Sequence, residues 1–137
     1  MKIKIIGNGY MPQRAYKTDA GLDLRTPKDF VIKAGSYAFV DTGVCVELPK
    51  GTTGFLKSKS GLNKDHNIIG EGVIDENYRG SIGVKLYNLG FNDYTFKRGD
   101  KIIQLVILPV VIPEELEKVD ELDETDRGEN GFGSSGR

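Results

Sequence analysis

The chain has 137 residues, enough for one domain with a real core, in which roughly two thirds of the unfolded surface is buried. Its 38% apolar and 28% charged residues exclude a disordered chain. The net charge of −1, with 19 Lys and Arg against 20 Asp and Glu and no basic block, excludes a general nucleic-acid binder and leaves any anionic ligand to a local cluster.

Taken in chain order, Lys2–Ile6 predicts a short strand, and its apolar run is too short for a signal peptide. Asp19–Leu24 (DAGLDL) sets Asp23 between Leu22 and Leu24, so its carboxylate points away from the face the leucines bury. Taken alone, that is an ordinary surface carboxylate. Phe30–Ile32, Tyr37–Val40 and Thr53–Leu56 are further short strand candidates. In Val44–Leu48 (VCVEL) the residues Val44, Val46 and Leu48 share one face, with Cys45 and Glu47 on the other. Cys45 is the only cysteine, which rules out an internal disulfide and fits a reducing compartment. No stretch reaches the length of a transmembrane helix. The expected location is therefore the cytoplasm, or the host cytoplasm for a viral protein, with no membrane partner.

Gly54–Leu62 (GFLKSKSGL) places Lys59, Ser60 and Gly61 where a strand ends, and a short helical turn can follow Ser58. A cation, a hydroxyl and a permissive backbone are the parts of an anion site, and equally of a solvated turn. Gly70–Gly80 (GEGVIDENYRG) reads as a hairpin whose arms meet near Gly70-Glu71-Gly72. Asp75 follows the apolar pair Val73-Ile74, which predicts a partly desolvated carboxylate with a raised pKa, suited to general-base work. An ordinary glycine-rich hairpin explains the same letters. Ser81–Leu86 (SIGVKL) alternates like a half-buried strand. RGD at residues 98–100 is a turn before the next strand. Lys101–Leu108 (KIIQLVIL) is apolar on both faces, as in a strand buried on both sides, except for Gln104. A buried amide needs partners, so Gln104 makes structural hydrogen bonds or faces a polar cavity. Pro113–Leu122 is helical by composition. His66, the only histidine, has no second ligand type beside it and reads as structural or surface. Short strands with recurrent glycine punctuation predict an all-β sandwich or barrel.

The segments DAGLDL, SKSGL, GVIDENYRG, RGDKIIQL and RGENGFGSSG stand in this order from about Asp19 to Arg137. They resemble the five ordered motifs of the trimeric dUTPase family, the third and fifth being the most specific. The resemblance implies hydrolysis of dUTP to dUMP and pyrophosphate, with Mg2+, by in-line attack of water on the α-phosphorus. That reaction limits uracil in DNA and supplies dUMP for thymidylate synthesis.

By the same resemblance, Asp75 activates the attacking water and Tyr78 packs under the deoxyribose. The backbone around Ile69, Gly70 and Gly72 reads the uracil edge. Ile69 stands where some members carry an asparagine, so base recognition rests on backbone groups. Asp23 meets the metal through water. Lys59, Ser60, Gly61 and Gln104 lie at the phosphates, with Lys59 in place of the usual arginine of a P-R-S-G motif. Arg127, Gly133, Ser134 and Ser135 hold the terminal phosphates, and Phe132 stacks on the uracil. The implied protomer is a jelly roll (residues 1–126) with a glycine-rich C-terminal arm (127–137), assembling as a homotrimer with shared active sites. Residues 113–122 are then extended, against their local propensity. Two other readings compete: a dCTP deaminase of the same structural superfamily, and a nucleotide-gated binding module without turnover.

Overall fold

The computed structural model describes residues 1–131. Its strands are β1 (Lys2–Ile5), β2 (Gly21–Arg25), β3 (Phe30–Ile32), β4 (Tyr37–Glu47), β5 (Thr52–Lys57), β6 (Ile68–Ile74), β7 (Ser81–Asn88), β8 (Tyr94–Phe96) and β9 (Lys101–Pro109). One short helix, α1 (Ser60–His66), interrupts them. Seven strands form a curled antiparallel sheet in the order β1-β4-β7-β6-β5-β9-β2, and β3 pairs with β8. The all-β, jelly-roll-like expectation holds.

The core follows from strand alternation. Val40, Val84 and Leu86 point inward from β4 and β7, and Leu24, Ile103 and Leu105 from β2 and β9, all nearly or fully buried. The β3–β8 pair closes over this core with Ile32 and Phe96, whose ring stacks on Phe30 at 4.8 Å. Eighteen core side chains at the usual ~1.5–3 kcal/mol each make this the main stabilising term.

Some local expectations are corrected. The two short strands read at residues 37–40 and 44–48 are one strand, β4, with a register shift between Asp41 and Cys45. Gly43 takes φ +71° there, and Thr42 Oγ1 donates to the Ile82 carbonyl at 2.8 Å, so a side chain bridges the irregularity. Cys45 does not face outward: β1 lies beside it and it is buried. Gly70 and Gly72 lie within β6, the arms of the hairpin pair as far as Gly70 and part beyond it, and the turn lies at residues 75–80. Residues 113–122 are not helical, as the resemblance implies and against their composition, and Leu116 and Leu122 are 89% and 88% exposed. Leu116 and Leu122 bury almost nothing and Val119 only about half of its surface, so little offsets the nucleation cost of a helix. The turn expected after Ser58 is α1, which ends at Asn67 in the left-handed region (φ 54°). His66, near that end, is exposed and packs against the Tyr94 ring at 4.6 Å.

Candidate active site

One cluster forms where β2, β5 and β9 lie side by side. The register sets Asp23 opposite Gln104, and Gln104 opposite Lys57, so the first, second and fourth motifs meet across one face. Asp23 is not the surface carboxylate its letters suggest but is 7% exposed. Lys59 Nζ lies 2.6 Å from its Oδ1 and Lys101 Nζ 2.7 Å from its Oδ2. Burial pushes the Asp23 carboxyl up, yet the hydrogen bonds and charges of Lys101 and Lys59 together outweigh it and hold the group below its ordinary value. Its backbone is pinned as well, the Asp23 amide donating to the Gln13 carbonyl at 2.8 Å.

Gln104 makes one structural bond at this polar cluster. Its Nε2 donates to the Ser58 carbonyl at 3.1 Å, and it is only half-buried. Gly21 makes room for it, since a methyl at position 21 would overlap the Gln104 amide. Lys59 is the cap residue of α1, and Ser60 and Gly61 open the helix, both exposed beside the lysine.

The second cluster lies at the β6–β7 hairpin. Pairing between these strands stops at Gly70 with Leu86, although both strands continue. Beyond that point residues 71–74 pair only with β5. The strands part around an open cavity of about 340 Å³ lined by Phe39, Asp41, Val73, Ile74, Asp75, Tyr78, Ser81 and Gly83. No strand pairing crosses this gap, so backbone groups that face it lack a strand partner and need another one. Tyr78 Oη donates to the Ser81 carbonyl at 2.9 Å, and its ring lies over Gly80. Asp75 is exposed, so Val73 and Ile74 do not desolvate it within this chain: Ile74 turns into the core while Val73 stands 60% exposed.

The two clusters are far apart in one chain. Ser58 Oγ accepts from the Gly70 amide at 2.9 Å, which sets the Lys59 cluster at the start of β6. Asp75 follows the other end of that strand, five residues and roughly 16 Å on. Ile69 and Gly70 therefore lie at the far end from Asp75, paired with Tyr87 and Leu86. The Gly70 carbonyl and amide are both engaged by Ser58. Gly72 is nearer the cavity, opposite Leu56 on β5. Arg127 lies in an exposed turn, its Nε donating to the Asn130 carbonyl at 3.0 Å. Phe132, Gly133, Ser134 and Ser135 lie outside the described residues.

Sequence reasoning missed Lys101, Phe39, Asp41, Ser81 and Gly83. Lys101 comes within reach of Asp23 because a register shift between Leu24 and Arg25 brings it alongside. Nothing in the local sequence signals that shift. Gly83 did leave a signal, since a glycine inside an alternating strand marks a close approach. Ser81 Oγ donates to Asp41, and the Gly43 amide donates to the same carboxylate at 3.0 Å. Those bonds, Ser81 first, hold the Asp41 carboxyl below its ordinary value.

The dUTPase family model matches residues 8–136. The deoxyuridine 5'-triphosphate nucleotidohydrolase of Gloeothece citriformis is 44% identical over 129 residues, 92% of this chain and 88% of that one. The protein of the same description from Clostridium acetobutylicum is 42% identical, over 99% of this chain and 96% of its own. Among solved structures, a mutant dUTPase of Staphylococcus bacteriophage 80alpha with dUpNHpp superposes with a TM-score of 0.92 at 31% identity, covering 99% of this chain and 98% of that one. A mutant dUTPase from phage phi11 of S. aureus, described with a structural Mg(II) ion, gives 0.81 at 29% identity over 88% and 96% of the two chains.

Proposed function

Because this chain belongs to the dUTPase family, we propose that its two clusters are the halves of a single dUTP-hydrolysing site, brought together between copies of the chain. The protein is a dUTP diphosphatase, releasing dUMP and pyrophosphate. The observation that carries the assignment of parts is the cavity between β6 and β7, with Asp75 and Tyr78 on its wall.

In this reading the uracil edge enters the gap and pairs with the unpartnered backbone around Gly72 and Gly83. Backbone donors and acceptors at fixed spacing reject cytosine, whose exocyclic donor and ring acceptor are reversed. Tyr78, fixed by its bond to Ser81, lies flat beneath the deoxyribose and leaves no room for a 2′-hydroxyl. The Asp75 carboxylate takes the proton of the attacking water. The phosphates fall to Lys59, Ser60, Gly61, Lys101 and Gln104, with Arg127 and the arm of residues 127–137 closing over them. Lys59 gives charge but not the bidentate fork of an arginine.

Magnesium fits this donor set through water. Both Asp23 oxygens already accept from lysines, but a carboxylate has about four lone-pair sites, leaving two for metal-held waters. Among the described residues no group of three or more His, Cys, Asp or Glu forms a cage. An ion that binds chiefly through substrate phosphates and keeps its waters suits such a site. When bound, it supplies charge neutralisation along the triphosphate.

Distance supports sharing between copies. A water held by Asp75 must sit within about 3–3.5 Å of the α-phosphorus. The phosphate cluster of the same chain is roughly 16 Å away along β6. Residues 110–122 also carry Val111, Ile112, Leu116 and Leu122 at 68–91% exposure, a ready contact for another copy. We take the assembly to be a homotrimer.

The test is pyrophosphate release from dUTP with Mg2+, compared with UTP, dCTP and dTTP. Asp75→Asn should keep nucleotide binding and lose about 10²–10⁴-fold in turnover. Undiminished turnover removes Asp75 as the base, and ammonia release from dCTP would revive the deaminase reading. Asp75→Asn and Lys59→Ala chains refolded together should recover part of the activity each lacks alone. Mixed oligomers without recovery would overturn the shared site.

A further inference from the structure

We propose that Phe39, on a strand outside all five motifs, is the residue that positions the pyrimidine and limits its size at the inner end of the cavity. The inference rests on the reading of that cavity as the nucleoside site.

The alternation of β4 sends Val40 fully into the core and turns Tyr37, Phe39 and Asp41 outward. On the neighbouring strand, Gly83, Lys85 and Tyr87 are their register partners. Lys85 faces Phe39 but its ammonium is drawn aside, 4.1 Å from the Tyr37 ring centre and 5.1 Å from that of Tyr87. Phe39 leans the opposite way, across Gly83 and into the gap between β6 and β7. A methyl at position 83 would overlap the far edge of that ring. A glycine weakens a strand interior, so its presence is accounted for by the ring it seats.

Phe39 remains 66% exposed although it lines a cavity. An aromatic ring held open to a cavity by a glycine floor is a contact surface in want of an occupant. The direction of the nucleotide says which part of it arrives there. Asp75 must reach the α-phosphorus, and Tyr78 lies beneath the sugar. The base then extends away from both, toward Val73, Gly83 and Phe39. The polar edge of the base pairs with the strand backbone, so a hydrocarbon ring can meet only its face or its C5–C6 side. Phe39 thereby fixes the tilt of the base and leaves little space for a substituent at C5. The cavity has two aromatic walls, Tyr78 over Gly80 and Phe39 over Gly83.

The experiment compares wild type, Phe39→Ala and Phe39→Leu. The readouts are kcat and KM for dUTP, turnover of dTTP, and the oligomeric state by light scattering. Phe39→Ala should raise KM for dUTP about tenfold with kcat changed less than about threefold, and raise dTTP turnover relative to dUTP by about tenfold or more. Phe39→Leu should recover part of both effects, and all three proteins should have one oligomeric state. Unchanged KM and unchanged dTTP discrimination in Phe39→Ala would overturn the proposal. Loss of assembly in Phe39→Ala would also overturn it, by making the ring a contact between copies. A wild type that does not hydrolyse dUTP would instead overturn the underlying reading of the cavity.

Discussion

Replacing Asp23 with Asn tests how the phosphate cluster is held together. The native carboxylate accepts from Lys59 at 2.6 Å and from Lys101 at 2.7 Å, and its own side chain is 9% exposed. Hydrogen bonds to charged groups contribute about 1.5–3 kcal/mol each. Asn keeps one oxygen that can still accept from one lysine. The other ammonium is released, but the Lys59 and Lys101 side chains are 27% and 34% exposed and can rehydrate. The net cost is therefore that of about one such bond, ~2 kcal/mol. At ~2.1 cal/mol/K per residue, unfolding 137 residues carries about 0.3 kcal/mol per degree, so Tm should fall by about 7 °C at pH 7.

The pH dependence gives a second check on the same bonds. Asp23 is held below its ordinary value, so its contribution is complete above the unfolded carboxyl value of about 3.9. It is lost as pH falls through the lower, folded value. The Tm difference between wild type and Asp23→Asn should be level from about pH 7 to 5 and shrink below about pH 4. The assay is thermal unfolding by calorimetry in metal-free buffer, at fixed protein concentration. Equal Tm at pH 7, or a gap that grows in acid, would refute the argument that these lysines hold an ionised carboxylate.

Removal of residues 127–137 should leave the fold intact, because the described core draws no side chain from beyond Ile107. Turnover of dUTP should fall by at least about 10²-fold if, as proposed, the arm supplies donors to the terminal phosphates. Near-normal turnover in the truncated protein would detach the arm from the reaction. Gly70→Ala should lower stability by about 1–3 kcal/mol in a urea titration, because the added methyl would lie 2.8 Å from Leu86 Cδ2 and 3.0 Å from the Lys85 carbonyl. An unaffected midpoint would mean that β6 and β7 can separate further at no cost.

Much of this protein is local, and local features are legible in its letters. Alternation in residues 81–86 and the apolar run at 101–108 marked β7 and β9 because each strand buries its own side chains with period two. The motif order pointed to the family, because the residues around Asp75 and Lys59 are short contiguous pieces of chain. The sequence by itself also marked Gln104 as a polar residue out of place in an apolar strand, while Asp23 stood out only through its motif. Their environment was decided elsewhere. A β4 bulge bridged by Thr42, the register that sets Asp23 opposite Gln104, and the slip that delivers Lys101 all depend on strands far apart in the chain. Phe39 and Gly83 become one surface only when β4 lies beside β7. The distance between Asp75 and the phosphate cluster is likewise a property of β6 as an extended strand. Tertiary pairing alone creates such relations, because a sheet joins residues by register and face, and neither is written in the spacing of the chain.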